Sequence, residues 1–385
     1  MLVLVAYGSF GFRHGVVYSI GALLGLVLGS VVAFLVLPHI GALIPQPLGR
    51  IIVVVAVLIA LIAGGHALGT GIAASIDRSV KGKGVKAVNR VLGAVVNIVA
   101  AALVVAVLSS SLVSLGIPIL SRVVASSTVL RLIGSATPDP VEAFLAQLRS
   151  TVVTDGLPAI QEALGGITET PVLPEGIETG SQALTAAAQS VVRISGTAPD
   201  CAQNQSGSGF VVSSERIITN AHVVAGVKEP LVETPAGEVL TGRVVYFDPN
   251  DDLAVIAVPG LKAKPLALAS TVATGMTGVI DGYPFGGPFV TSAAEVLAVT
   301  DSKVNDIYAT SASQREVYSL ATTVNEGDSG GPFLDNGGRV VGVVFAKSAN
   351  TPNLGYAMTM AEVQPVADLA PELTGSVTPG VCSRG

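Results

Sequence analysis

Acidic residues are almost absent from the first third of this chain. Up to Thr137 only Asp77 is negative, against nine Lys/Arg, whereas from Pro138 onward 26 Asp/Glu face 12 Lys/Arg. The two parts carry net charges of +8 and −14, which add to the −6 of the whole. Because the long apolar runs also lie in the acid-poor part, two solvents are implied, lipid first and water second. The acidic remainder argues against nucleic acid as a partner, since neutralising phosphates needs clustered Lys/Arg. Cysteine is scarce as well. Cys201 and Cys382 are the only two, both in the acidic part, and no CxxC pair occurs. Two thiols with one nearby histidine make a poor zinc site, so neither metal nor cofactor is expected. A disulfide between them is the reading for an oxidising compartment, with two unpaired buried cysteines as the alternative. Histidine is the third scarcity: of His14, His39, His66 and His222, only the last lies in the acidic part.

What is present first is hydrophobic length. Residues 16–37, 51–73 (apart from His66) and 91–115 run without charge. Each is about 20 residues or longer, enough to cross ~30 Å of hydrocarbon as a helix. Residues 1–10 are apolar but too short to span alone, and read as part of a fourth, partial helix. Without a basic segment before them, and with more spans to follow, they do not read as a signal peptide. Lys/Arg in the short loops orient the spans. Arg13 precedes the second helix, and Arg78, Lys81, Lys83, Lys86 and Arg90 follow the third, whereas residues 38–50 hold only Arg50. The first and third loops are therefore expected inside and everything after about Gly116 outside. His66 reads as a neutral imidazole bonded to a neighbouring helix.

Residues 117–185 read as a linker. Val141, Phe144, Leu145 and Leu148 recur at helical spacing within 140–150, and the prolines and glycines of 171–180 suggest extended chain. From Gln189 the pattern changes to short β-branched runs at 190–194, 209–212, 217–219, 242–247, 253–258, 277–282, 317–322 and 340–345. With Gly-rich turns between them, these imply an all-β barrel or sandwich. The domain layout is thus 1–116, 117–185 and 186–385.

Gly327-Asp328-Ser329-Gly330-Gly331-Pro332 sets a serine in a turn of small residues. Substrate can approach such a serine, and backbone N–H groups can face an oxyanion. Asn220-Ala221-His222-Val223 sets the sole histidine of the acidic part after a strand, and Asp251-Asp252-Leu253 sets carboxylates before one. The Gly-x-Ser-x-Gly pattern also suits an α/β-hydrolase elbow, but that fold needs a histidine after the serine, and none follows Ser329. The order His, Asp, Ser is that of chymotrypsin.

TNAHVV, DDLAVIAV and GDSGGP resemble the three catalytic blocks of trypsin-like proteases, and GSGF at 207–210 resembles the bacterial HtrA branch. The resemblance implies two six-stranded β-barrels, with His222, Asp252 and Ser329 as triad and the N–H groups of Gly327 and Ser329 as oxyanion hole. Asp248 and Asp251 are rival acids; the match of the block selects Asp252 and leaves Asp251 solvated. Thr323 falls where related enzymes place the base of the primary pocket, which argues against a choice of Lys or Arg, and Phe345, Ala346 and Lys347 are expected as a pocket wall. Asp328 stands where the HtrA branch usually has Asn. The whole layout resembles the MarP-like acid-resistance proteases of mycobacteria and relatives. That implies a multi-pass membrane anchor of the colicin-V-production type, a periplasmic protease domain, a Cys201–Cys382 disulfide, and protein substrates in the envelope under acid or oxidative stress. Such a protease is positioned to cut its own linker. A catalytically silent envelope sensor and a membrane scaffold or transport protein are the competing functions.

Overall fold

A glycine sets the first break. Gly15, at φ +84°, separates α1 (Leu2–His14) from α2 (Val16–Ala42). The N–H groups of Val16 and Val17, which have no partner inside α2, donate to Oδ1 of Asn89 on α4 (Lys83–Val113). Asn89 in turn donates to Asp77, the one acid of this region and the last residue of α3 (Pro47–Asp77). Helices α2 and α3 approach through small residues: a Cβ added at Gly25 would lie 2.3 Å from the Gly65 carbonyl oxygen, and one at Gly69 would lie 2.1 Å from that of Gly21. This is the close backbone contact that glycine at every fourth position permits in lipid. Three stretches, Val16–Ala33, Ala56–Asp77 and Gly84–Ala102, are long and apolar enough to cross a membrane. The His66 expectation is not met: its side chain is exposed, and among the described residues its ring has no hydrogen-bond partner.

The computed structural model describes residues 2–42, 47–77, 83–113, 157–161, 164–198 and 203–383, with isolated positions between 127 and 147. Arg78, Lys81, Cys201 and most of the expected 140–150 helix lie outside the described residues. The chain divides into two units, Met1–Leu108 and Ser109–Gly385.

In the second unit the described strands form two sheets of seven. The first contains β2 (Val191–Ala198), β3 (Gln203–Ser213), β4 (Arg216–Thr219), β5 (Leu231–Glu233), β6 (Val239–Thr241), β7 (Arg243–Asp248) and β8 (Leu253–Ala257), in the order β6-β5-β2-β3-β4-β8-β7. Its two end strands, β6 and β7, are separated in the chain by Gly242 alone. The second sheet contains β1 (Ala159–Ile160), β9 (Thr277–Gly282), β10 (Val290–Asn305), β11 (Ala312–Ala321), β12 (Pro332–Asp335), β13 (Val340–Ser348) and β14 (Leu354–Thr359). Strands β9 to β14 pair around a closed ring, because β13 meets both β12 and β14. The seventh member, β1, adds to β13 in parallel. Where six strands per sheet were expected, the extra one in this sheet comes from the supposed linker.

That linker is therefore shorter than 117–185. Leu157 and Leu164 are buried among barrel side chains, Ile167 and Ile177 pack on the same core, and the Leu164 carbonyl accepts from the Ser319 hydroxyl at 2.9 Å. Among the described residues after 157, three α-helices accompany the sheets: α5 (Gln182–Ala188), capped by Ser181; α6 (Ala221–Val224); and α7 (Met360–Leu369), capped by Thr359. One apolar cluster draws Phe210, Ile218 and Val255 from the first sheet and Val279, Val317 and Val343 from the second, so a shared core fixes the two sheets to each other.

Candidate active site

His222 sits on the single turn α6, directly after β4. The side chain of Asn220, in the N-cap position, donates to the Asp252 carbonyl at 2.9 Å, which ties this turn to the start of β8. Asp252 has φ +55°, a left-handed conformation uncommon outside glycine, in which Asp and Asn are the best tolerated. The bend aims its carboxylate at His222. Nδ1 of the ring lies 2.8 Å from Oδ2 and 3.0 Å from Oδ1, and the backbone N–H of His222 donates to Oδ1 at 2.9 Å. The carboxylate therefore fixes the ring and its backbone together. Both residues are buried, at 6% and 3% exposure.

Ser329 lies at the tip of the β11–β12 connection and is 2% exposed. Ser208 on β3 holds this loop from below. Its N–H donates to the Ser329 carbonyl at 2.8 Å and its hydroxyl to the Gly327 carbonyl at 2.7 Å, and the hydroxyl accepts from the Tyr283 N–H at 2.9 Å. Gly330, at φ +81°, admits no side chain, since a Cβ there would lie 2.3 Å from the Ser208 carbonyl oxygen and 3.0 Å from the Asn220 nitrogen. The serine loop and the histidine turn thus touch through backbone. Oγ of Ser329 and Nε2 of His222 are both buried and have no hydrogen-bond partner among the described residues. Such bonds are often long in empty sites and close around substrate. Gly327, at φ +94°, and Ser329 have N–H groups that no described acceptor occupies.

Two further buried carboxyls belong to this region, Asp328 within the loop and Asp281 on β9 against Gly331. Burial pushes Asp328 up to about 7, offset in part by the Asn325 N–H that donates to it at 2.8 Å. Burial also pushes Asp281 up to about 6, against the lowering effect of the Thr291 hydroxyl. The rival acids do not reach the histidine. Asp248 caps its own turn through the N–H groups of Asn250 and Asp251. Asp251 is half-buried rather than solvated, and burial, followed by the neighbouring Asp248, raises its carboxyl.

The expected pocket residues separate. Thr323 is exposed, with its hydroxyl 3.4 Å from Oδ1 of Asn353. Phe345 and Ala346 are buried in the core cluster, so their side chains do not form an open wall, and the pairing of β13 with β14 has a bulge between Val344 and Ala346. Lys347 remains half-exposed, and its N–H donates to the Pro158 carbonyl at 3.2 Å. The edge of β13 that runs on from the serine loop is thus already paired with β1. Cys382 is disulfide-bonded. Among the described residues no cluster of His, Cys, Asp or Glu could hold a metal ion. A cavity of ≈ 250 Å³ lined by Arg193, Glu233, Tyr283 and Phe289 contains none of His222, Asp252 and Ser329. Sequence reasoning missed Ser208, Thr219 and Asn220 as supports of the site. Their signal was position alone, as polar residues inside the GSGF and TNAHVV blocks.

Residues 207–343 match the trypsin-like peptidase domain, and residues 1–138 match the Colicin V production protein family. Serine protease Rv3671c of Mycobacterium tuberculosis (strain ATCC 25618 / H37Rv) is 32% identical over 358 residues, covering 92% of this chain and 90% of the relative. Putative serine protease HhoB of Synechocystis sp. is 31% identical over 173 residues, 44% of this chain and 41% of that one. The crystal structure of the Rv3671c protease from M. tuberculosis in its active form aligns with a TM-score of 0.54 at 34% identity, covering 59% of this chain and all of that one.

Proposed function

The chain belongs to the serine proteases that join a Colicin V production region to a trypsin-like peptidase domain, and on that premise we propose that His222, Asp252 and Ser329 are its catalytic triad. It is a serine endopeptidase. Ser329 Oγ attacks the scissile carbonyl while His222 Nε2 takes its proton and later delivers it to the leaving amine. Asp252 keeps the other ring nitrogen protonated and stabilises the imidazolium. The N–H groups of Gly327 and Ser329 receive the oxyanion; one such donor is worth ~3 kcal/mol in the transition state. The observation that carries this reading is the shared grip of one buried carboxylate on the ring and the backbone of His222, beside a serine whose Oγ is otherwise unused.

The loop charges support a multi-pass anchor with the catalytic unit outside the cytoplasmic membrane, where a disulfide between Cys201 and Cys382 persists. Substrates are proteins of the envelope, and the physiological setting is acid or oxidative stress. The extended chain at 171–176, exposed at Val172, Leu173 and Glu175, is a site for self-cleavage. Purified full-length protein should hydrolyse an unfolded protein substrate, and the Ser329→Ala variant should not. A folded wild type without peptidase activity would leave the envelope-sensor or scaffold reading in its place. Equal mature masses for wild type and Ser329→Ala would remove the self-cleavage.

A further inference from the structure

Glu233 on β5, Arg193 on β2 and Ser208 on β3 stand opposite one another in register across three adjacent strands of the first sheet. Directly opposed residues carry their side chains on one face of a sheet, so the three form a polar row. Ser208 is the support of the serine loop described above: its hydroxyl donates to the Gly327 carbonyl and accepts from the Tyr283 N–H. Arg193, next in the row, reaches the same part of the second sheet. Its Nη1 donates to the Gly286 carbonyl at 2.7 Å, and its Nη2 is paired with Glu233. A guanidinium held at both ends of its fork loses the freedom to turn away, and a charged donor makes the stronger hydrogen bond. The reaction above makes no use of this residue.

The Gly286 carbonyl belongs to a tight turn between β9 and β10. The Gly286 N–H donates to the Tyr283 carbonyl and the Gly287 N–H to the Pro284 carbonyl, both at 2.9 Å. Inside this turn Phe285 has φ +57°, an uncommon conformation for a bulky residue, which persists only where its surroundings impose it. In that conformation the Phe285 N–H donates to the Glu326 carbonyl at 2.5 Å. That carbonyl and the Gly327 N–H share one planar trans peptide, so they point in opposite directions. Holding the carbonyl on the turn therefore sets the Gly327 N–H on the other side, where no described acceptor takes it. The turn lies so close to Gly327 that a Cβ added there would be 2.9 Å from the Phe285 nitrogen. A continuous line of bonds thus runs from Glu233 through Arg193, the turn and the Glu326 carbonyl to the first of the two oxyanion donors.

We propose that Arg193 is a positioning residue for the oxyanion hole: by gripping the Gly286 carbonyl it holds the 283–287 turn, and through it the Glu326–Gly327 peptide, in the orientation that presents the Gly327 N–H to the reacting carbonyl. The assignment rests on the oxyanion reading above. A donor misdirected in this way weakens the transition state and leaves substrate binding intact, so the effect is read as a split between kcat and KM. Full-length wild type, Arg193→Met and Arg193→Lys are compared on a peptide amide substrate. A peptide aldehyde, which forms a tetrahedral adduct on Ser329, is titrated as inhibitor. Methionine keeps the apolar stem and removes the donors; lysine keeps a cationic donor. In Arg193→Met kcat should fall about 10- to 100-fold, less than for outright loss of the donor, with KM within about twofold of wild type. The aldehyde should lose affinity by the same factor as kcat, and Arg193→Lys should recover most of both. A loss carried in KM, an aldehyde affinity that does not follow kcat, or a lysine variant no better than methionine overturns the proposal. If Arg193→Met does not fold, Arg193→Gln is read in its place, with a neutral polar head suited to a side chain that is 26% exposed. Failure of both to fold makes Arg193 a structural residue and overturns the assignment as well. A wild type without peptidase activity would strike the triad reading, whereas an active wild type with kcat unmoved in Arg193→Met strikes Arg193 alone.

Discussion

At the scale of single residues, acid acts on the fold through the buried carboxyls around the serine loop. Asp328 is the stronger case. Its ordinary value is 3.8, and burial lifts it to about 7 in the folded protein. Between those limits the folded carboxyl holds a proton that the unfolded chain has released. Its contribution therefore favours the folded state as pH falls through 7, is complete below about 4, and is lost as pH rises through 7. Asp281, raised to about 6, acts in the same sense. Asp328→Asn keeps an oxygen for the Asn325 N–H and removes the charge. The variant should be more stable than wild type at pH 8, by on the order of 2–4 kcal/mol, with the gap closing toward pH 4. Melting curves at both pH values check this; a gap that widens in acid contradicts it. Asp252→Asn is a second test at this scale. Asn tolerates φ +55°, so the backbone persists while the ring loses its anchor. A fall in kcat of about 10,000-fold is expected, with little change in melting temperature.

At the scale of elements, the catalytic blocks and the strands that carry them could be read from the sequence because burial and chemistry coincide there. Strand β8 is buried at every position, and β-branched runs marked it. Strand β10 escaped notice, since its sixteen residues are mostly half-exposed and mix Ala, Ser, Thr and charge without a clean alternation. Strand β1 is two residues long and takes its conformation from β13, a partner nearly 190 positions later in the chain. No local pattern announces it, so sequence alone extends the linker to 185. Docking of this segment depends on Leu164 and on the Ser319 hydroxyl beneath it. Leu164→Ala should cost about 2–3 kcal/mol locally and speed hydrogen exchange at residues 157–166, leaving β9–β12 protected. A peptide running along β13 from Ser329 must take the Lys347 N–H from Pro158. The same variant should therefore lower KM for extended peptides; an unchanged KM would show that substrate takes another path.

At the scale of the whole molecule, the chain divides into two units, Met1–Leu108 and Ser109–Gly385, where the charge division alone marks a change near Thr137, and the glycine ladder at residues 21, 25, 65 and 69 is present in the sequence as a spacing that hydrophobic length alone does not disclose. The C-terminal segment is tied back to the catalytic core. The Gly226 N–H, two residues beyond α6, donates to the Pro379 carbonyl at 2.9 Å, and a Cβ there would lie 3.0 Å from Sγ of Cys382. Reduction should free this segment from the chain that ends the histidine turn and lower both melting temperature and kcat. The loop-entropy limit for a bond to Cys201 is ~5 kcal/mol. Unchanged melting and rate in reductant would contradict that role.

The central claim is a reactive serine, activated by His222, in a unit outside the membrane. Its most direct test is a membrane-impermeant fluorophosphonate applied to intact spheroplasts carrying wild type, Ser329→Ala or His222→Ala, followed by mapping of the adduct. The account predicts an adduct on Ser329 in the wild type and none in either variant. An unlabelled wild type that reacts only after lysis, or an adduct on a different serine, would contradict it.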